Sequence, residues 1–173
     1  MQNTVDWFNK AVIYHIFIDR FNGCKTNINT LDFLGGNLKG VISKLDYIQN
    51  LGINVMWLSP FYKTTHYHGY HITDFKSIDP RFGSKSELLE LIYEAKKRGL
   101  RIIADFVPNH CSDQHPFFKD ALKNKDSKYK DWFIFKKWPN KYLCFLWTRM
   151  PSLRSFVERF RNNKKNKPNV ANC

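Results

Sequence analysis

One short segment, Asp-Phe-Val-Pro-Asn-His at 105–110, brings together three side-chain types that can bind or orient a ligand. It begins inside a β-branched apolar run, where a carboxylate is costly unless it is hydrogen-bonded or ligated. Asn109 and His110 follow just beyond that run, where side chains of a parallel βα fold reach a ligand. The residue types alone leave two readings equal: a ligand site, or a structural Asp105 that supports a loop beside an incidental histidine.

A second group of polar and aromatic side chains lies at 66–71. The spacing His66-x-His68 and His68-x-x-His71 raises a metal interpretation, but it does not match H-E-x-x-H, and no nearby Cys or Glu completes a zinc set. The pattern therefore favours a polar binding loop over a dedicated zinc site. Tyr70 follows Gly69 in this loop, and its flat ring could stack on the apolar face of a sugar or pack down on the protein.

Three apolar runs, at 12–18, 53–58 and 101–107, precede the polar segments. Each run is short, β-branched and nearly continuous, which is typical of strands that are buried on both faces of a parallel sheet. Polar residues follow each run, so the predicted strands place them at one edge of the sheet.

Two helical patterns separate these runs. In the first, Val41, Leu45 and Ile48 fall at helical spacing, and the second begins at a capping box of Ser84 and Glu87. The alternation of strands and helices predicts a parallel βα repeat. Two architectures fit: a doubly wound open sheet, which here lacks Gly-x-Gly-x-x-Gly after the first strand, or the first part of an eight-fold barrel, which in full needs about 250 residues.

Four segments in order, VIYHIFIDRFNG, GGNLKGVISKLDYIQNLGINVMWLSPFY, HGYHITDFKSIDPRFGS and RIIADFVPNH, resemble the N-terminal part of the catalytic barrel of α-amylase family glycoside hydrolases. The similarity is greatest to the neopullulanase and cyclomaltodextrinase group and covers residues 11–118. It implies an α/β fold: the first three or so βα units of a (β/α)8 TIM barrel at 1–111, the start of a small domain inserted after the third strand at 112–146, and a basic tail at 147–173.

The resemblance also implies roles for single residues. His110 resembles the histidine that hydrogen-bonds the sugar at the cleavage subsite, and Tyr70 resembles the tyrosine that stacks on that sugar. Asn109 matches a calcium ligand of many α-amylases, and Asp105 matches a carboxylate that supports the site without being catalytic. The loop at 19–23 resembles a second calcium region of some relatives, but its carboxylates are sparse and that role stays open.

The chain departs from the family at the catalytic carboxylates. Retaining hydrolysis needs two carboxyl groups about 5–5.5 Å apart, and the family carries them after barrel strands that follow the third. This sequence has no G-x-R-x-D motif, and Glu158 is its only acidic residue after Asp131. We therefore expect an α-glucan hydrolase by resemblance that has no catalytic residue in these 173 residues and no activity alone, unless a complementing chain supplies the missing strands. The alternative is a non-catalytic fragment that binds a maltooligosaccharide.

The charge is concentrated at the end of the sequence. Residues 132–173 hold ten basic side chains and one acidic, a net charge of +9 out of the chain's +13. We interpret the segment from about Trp147 as non-family sequence, such as an out-of-frame reading produces. A nucleic-acid partner is the other interpretation, but the Lys-Lys-x-Lys run at 164–167 is short and such runs are usually solvated.

Cysteine usage and the N-terminus bear on location. The four cysteines are scattered without a C-x-x-C pair, and the first nine residues show no signal region. No run of 18 apolar residues suggests a membrane partner. The sequence therefore predicts a cytoplasmic chain with reduced thiols.

Overall fold

The computed structural model describes residues 6–25, 30–135 and 143–144. The chain divides into two compact units, residues 1–106 and 107–173. The predicted boundaries after residues 111 and 146 stay predictions, and the predicted tail at 147–173 lies outside the described residues. Among the described residues, no helix is both long and apolar enough to cross a membrane.

The first unit alternates short helices and strands along the chain. Its helices are α1 (Asp6–Asn9), α2 (Ile18–Phe21), α3 (Leu38–Ile42), α4 (Leu45–Asn50) and α5 (Lys85–Lys97), and its strands are β1 (Ile13–Ile16), β2 (Val55–Leu58), β3 (Tyr62–Thr64), β4 (Ile72–Ile78) and β5 (Arg101–Ala104).

Strands β1, β2 and β5 form a parallel sheet in that order, which confirms the predicted βα repeat. Their register aligns Ile16 with Leu58 and Leu58 with Ala104, so the three strands end at the same level. The backbone N–H of Asp105 donates to the carbonyl of Leu58 at 3.1 Å and extends the last ladder by one bond. The residues after each strand therefore share one edge of the sheet, as predicted.

The prediction that these strands are buried on both faces is wrong. Ile13 is 43% exposed and Trp57 is 39% exposed, whereas Ile16 and Met56 are fully buried. In the described part of the chain, β1 and β5 are the outer strands of the sheet. The apolar core packs against one face of the sheet. Its helical members include Leu38, Val41, Ile48, Leu91 and Ala95.

The helical pattern at 41–48 divides into two helices, α3 and α4. The hydroxyl of Ser43 donates to the carbonyl of Gly40 at 2.9 Å, and the Asn22 amide donates to the same carbonyl at 3.3 Å. These side-chain bonds compete with the continuing helix for a backbone acceptor. The sequence periodicity is therefore that of two short helices that share one apolar face.

Helix α5 confirms its predicted start. The hydroxyl of Ser84 accepts from the backbone N–H of Glu87 at 3.2 Å, and the Glu87 carboxylate accepts from the backbone N–H of Ser84 at 2.6 Å. This capping box satisfies two N–H groups that the first turn leaves without partners. The helix leads directly into β5 and so sets the position of Asp105.

The polar loop predicted at 66–71 connects the two strands of an antiparallel hairpin, β3 and β4, which the sequence patterns do not predict. Its register pairs Thr64 with Ile72, which leaves residues 65–71 as the connecting loop. The hairpin is missed because β3 has three residues and the register shifts on both sides of Lys63, so the strand shows no alternating pattern.

An ion pair between the buried Asp79 carboxylate and Arg81 stabilises this hairpin. Asp79 is 1% exposed, and its carboxylate accepts from the backbone N–H of Thr64 at 3.0 Å and from the Arg81 guanidinium at 2.6 and 2.7 Å. Burial alone raises the pKa of Asp79, but the hydrogen bonds from Arg81 and from the Thr64 and Arg81 backbone outweigh it and hold that pKa below its ordinary value. The carboxylate is therefore a charged anchor of the loop.

The second unit contains a short helix, α6 (Pro116–Lys123). His115 caps it, because Nδ1 accepts from the backbone N–H of Phe117 at 3.2 Å. Phe118 is buried against Phe133 at a ring distance of 5.1 Å. A 3-10 helix (Lys130–Trp132) and the antiparallel strands β6 (Ile134–Phe135) and β7 (Leu143–Cys144) follow.

Candidate functional site

The first unit brings together two of the predicted site residues, Tyr70 and Asp105. The Tyr70 hydroxyl donates to Oδ2 of Asp105 at 2.8 Å. Asp105 directly follows β5 and is half-buried, whereas the sequence places it inside a buried strand. Tyr70 comes from the loop at 65–71. The pair therefore joins the hairpin loop to the end of a neighbouring strand.

The surroundings of this pair keep the phenol protonated. Burial, the hydrogen bond with Asp105 and the charge of that carboxylate together raise the pKa of Tyr70 to about 12. The phenol is the hydrogen-bond donor at every physiological pH, and the carboxylate is the acceptor. Asp105 is thus occupied in holding the tyrosine ring.

A second tyrosine lies near the same carboxylate. Burial and the charge of Asp105 raise the pKa of Tyr62, the first residue of β3. Its ring stacks on Phe61 at 5.1 Å. Tyr62 is not among the predicted site residues, and the signal for it is its place in the polar segment that follows β2.

The loop at 65–71 is closed by its own backbone. The N–H of Thr65 donates to the carbonyl of His71 at 3.1 Å, and the N–H of Gly69 donates to the carbonyl of His66 at 3.0 Å. Gly69 has a φ of +82°, and a Cβ built on it would lie 2.1 Å from the carbonyl oxygen of Pro60. Only glycine fits this contact, which fixes the loop against the residues after β2.

The three histidines of the loop converge. Each offers one ring nitrogen, and these nitrogens lie within 4.8 Å of one another. Nδ1 of His66 and Nδ1 of His71 are 2.9 Å apart, and Nδ1 of His68 accepts from the backbone N–H of Tyr70 at 3.1 Å. Spacing in the sequence does not show this grouping, because the turn at Gly69 folds the loop back on itself.

Two further predicted residues, Asn109 and His110, belong to the second unit. Asn109 is exposed and His110 is half-buried, and the Asn109 amide nitrogen lies 3.3 Å from Nδ1 of His110. Calcium takes six to eight oxygen ligands. Within the described ranges, the only group of three or more imidazole, thiol or carboxylate side chains placed to share a metal is the histidine trio.

The segment at 19–23, whose calcium role the sequence leaves open, lies largely in α2 and has a structural use for its carboxylate. Asp19 is 1% exposed and accepts from the backbone N–H groups of Leu34 at 3.0 Å and Gly35 at 3.2 Å. Arg20 lies 3.2 Å from the same carboxylate. These bonds tie the segment after β1 to the chain that leads into α3.

Comparison with known proteins finds a matching family model and curated relatives. The family model described as the catalytic domain of α-amylase matches residues 15–168. "Alpha-amylase 2" of Dictyoglomus thermophilum is 54% identical over 134 residues, which are 75% of this chain and 24% of that protein. The cyclomaltodextrinase of Thermoanaerobacter pseudethanolicus is 39% identical over 169 residues, 86% of this chain and 29% of that protein.

Solved structures agree with these relatives. A cyclic α-maltosyl-(1→6)-maltose hydrolase of Arthrobacter globiformis, in complex with that sugar, superposes with a TM-score of 0.77 at 32% identity, over 96% of this chain and 46% of that one. The chain spans about a quarter of the length of the curated relatives named above. The matched range includes most of the predicted tail, whose separate character stays a prediction.

The described part of the chain is a partial α/β structure with three parallel strands and no closed barrel. Its strand order is that of the beginning of a barrel sheet, and the family match covers most of the sequence. The chain therefore belongs to the α-amylase family of glycoside hydrolases.

Proposed function

We propose that Tyr70 and Asp105 form part of the α-glucan-binding cleft of an α-amylase-type glycoside hydrolase. In this proposal Tyr70 stacks on a glucosyl ring, and a hydrogen bond from His110 to a sugar rests on the family resemblance alone. The observation that carries it is the bond from the Tyr70 hydroxyl to Asp105, which holds an aromatic ring at the carboxyl edge of a parallel sheet. That edge is where βα folds place their ligand sites.

The chemistry of the pair fits a binding role. The C–H face of a glucose ring is apolar and stacks on an aromatic plane. Because the Tyr70 hydroxyl already donates to Asp105, the ring is held in place before a sugar binds. Asp105 acts as a positioning residue, since its carboxylate fixes the ring and is not offered to the sugar.

We expect Tyr70→Ala to weaken the binding of maltoheptaose by roughly ten- to a hundredfold, the equivalent of about 1.5–3 kcal/mol of lost apolar burial. Tyr70→Phe keeps the ring and loses only the bond to Asp105, so it should weaken binding less. Titration of maltoheptaose into the purified chain, followed by tryptophan fluorescence, measures both. Tyr93→Ala, on an exposed face of α5, is the matched control. Equal affinity in Tyr70→Ala and the wild type would contradict the stacking role.

We further propose that the 173 residues alone do not hydrolyse α-glucans. Asp105 is engaged by Tyr70, and the sequence contains no G-x-R-x-D segment. Release of reducing sugar from starch, maltodextrin or cyclodextrin by the purified chain should stay at the level of buffer, with a complete α-amylase as the positive control. Turnover that His110→Ala abolishes would show that the chain is an active enzyme and would refute this expectation.

Other features of the proposal rest on the resemblance. Calcium stays a prediction, with Asn109 supplying one of the six to eight oxygen ligands that calcium takes. A complementing chain that supplies further strands, and a cytoplasmic location, likewise stay predictions.

A further inference from the structure

The loop at 65–71 holds three imidazole side chains in one place. His66 is exposed, and His68 and His71 are half-buried. The rings of His66 and His71 meet edge to face at 4.2 Å, and those of His68 and His71 do so at 4.7 Å. The rings therefore touch a common volume at the surface of the first unit.

The nitrogen positions match those of metal ligands. Two imidazoles on a tetrahedral zinc ion, with Zn–N bonds of about 2.0–2.1 Å, place their nitrogens about 3.3 Å apart. Nδ1 of His66 and Nδ1 of His71 are separated by 2.9 Å. These two nitrogens share a hydrogen bond, and Nδ1 of His66 also lies 2.8 Å from the Thr65 hydroxyl, so the rings exchange these contacts for the ion by turning and moving apart slightly.

Hydrogen bonds and packing already hold the backbone of this loop in place when no ion is bound. The carbonyl of His71 accepts from the hydroxyl of Thr64 at 2.9 Å as well as from the N–H of Thr65. Gly69 is packed on the Pro60 carbonyl, and Asp79 binds the N–H of Thr64 at the base of the hairpin. Because the fold already orders this loop, metal binding costs little further conformational entropy, and this favours affinity.

The donor set selects the kind of ion. Three imidazoles with no carboxylate or thiol in the group suit borderline transition metals such as Zn²⁺, Cu²⁺ and Ni²⁺, while Ca²⁺ and Mg²⁺ require oxygen ligands. Three protein ligands also leave the fourth tetrahedral position to water. This chemistry differs from that of the calcium predicted at Asn109.

We propose that His66, His68 and His71 form a binding site for a divalent transition-metal ion, with Zn²⁺ as its reference ligand. Binding has a consequence for Tyr70. A neutral imidazole has one lone pair available in its plane, and Nδ1 of His68 uses it to accept from the N–H of Tyr70. If the metal takes Nδ1, this bond is displaced; if the metal takes Nε2, Nδ1 carries the proton and cannot accept. Metal binding therefore releases the Tyr70 N–H.

Isothermal titration of Zn²⁺ into the full chain, after removal of any affinity tag, tests the site. The wild type should bind one ion in this site. His66→Gln and His71→Gln should each weaken binding by more than the about tenfold that loss of an outer-shell partner costs at the least. His15→Gln is the matched control, because His15 is an exposed histidine outside the loop that packs on Trp57 at 4.5 Å.

The Tyr70 amide gives a second measurement that does not depend on sugar binding. Its ¹⁵N–¹H resonance should move on addition of Zn²⁺ to the wild type and stay in place in the double variant His66→Gln, His71→Gln. Circular dichroism of that variant checks the fold, and because His66 is exposed its single variant repeats the test with little risk to folding. Three outcomes would each overturn the proposal: absence of Zn²⁺ binding, an affinity in His66→Gln and His71→Gln equal to that of the wild type, or a loss of affinity in His15→Gln as large as in those variants.

Discussion

Asp79→Ala should lower the free energy of unfolding by about 3 kcal/mol. The substitution leaves the buried N–H of Thr64 without its acceptor and removes the carboxylate that pairs with Arg81. An unsatisfied buried group costs about 1–3 kcal/mol, and the Arg81 guanidinium adds less because its side chain is 46% exposed and reaches water. Urea denaturation at neutral pH, followed by circular dichroism, measures the difference.

Asp46→Ala is the matched control for this prediction. Asp46 and Arg98 also pair at 2.6 Å, but the Asp46 side chain is 75% exposed, whereas that of Asp79 is 1% exposed. Because solvent screens the exposed pair, its loss should change stability much less than the loss of Asp79. Equal effects of the two substitutions would mean that burial of Asp79 does not determine its contribution.

The same anchor predicts a pH dependence. The pKa of Asp79 lies below its ordinary value of 3.8, so its contribution to stability is complete above that value and is lost as the pH falls through the pKa of the folded state. The difference in unfolding free energy between the wild type and Asp79→Asn should therefore be largest at neutral pH and shrink below about pH 4. Urea titrations at a series of pH values check it, and a difference that grows on acidification would contradict the sign.

Gly69→Ala should displace the loop at 65–71 and weaken the binding of both maltoheptaose and Zn²⁺ by more than about tenfold, or 1.4 kcal/mol. The new Cβ would lie 2.1 Å from the Pro60 carbonyl oxygen, well inside contact distance, and the residue already has a φ of +82°. The loop relieves the collision by moving away from Pro60, which carries Tyr70 from Asp105 and separates the histidines. Titration with each ligand measures the two losses.

Gly52→Ala is the control that separates the effect of the steric collision from the effect of the left-handed backbone conformation. Gly52 has a φ of +78°, close to that of Gly69, but a Cβ there meets nothing within 4 Å. It should therefore cost only the left-handed conformation, about 1–2 kcal/mol of stability, and leave both affinities unchanged. Affinities that survive Gly69→Ala would show that the contact with Pro60 does not position the loop.

Local patterns in the sequence predict the parallel sheet and the helix that precedes its last strand. The apolar runs show the parallel sheet, and the Ser84–Glu87 capping box shows the start of α5, because strands and caps depend on residues close together in the chain. The hairpin of β3 and β4 cannot be predicted in the same way. Its register is irregular at Lys63, and it is held by Asp79, a residue beyond the end of β4.

The sequence singles out some residues of the candidate site but does not show which of them contact one another. Tyr70 and Asp105 are singled out by residue type and motif, but their bond depends on the three-dimensional course of the loop. Tyr62 comes near the same carboxylate through the course of the chain after β2, and the convergence of the three histidines depends on the turn at Gly69. Residue spacing along an irregular loop does not carry that information, because side chains there follow neither the helical nor the strand period.

The Tyr70–Asp105 bond also orders events during synthesis of the chain. The anchor from Asp79 to Thr64 spans 15 residues, whereas the bond from Tyr70 to Asp105 spans 35. At about 5–20 residues per second, a ribosome finishes residue 105 about 2–7 s after residue 70. For those seconds Asp105, the carboxylate that holds Tyr70, has not been made. The base of the loop needs only residues up to 79, whereas fixing the aromatic ring requires residue 105, so the site is completed only when the third parallel strand joins the sheet.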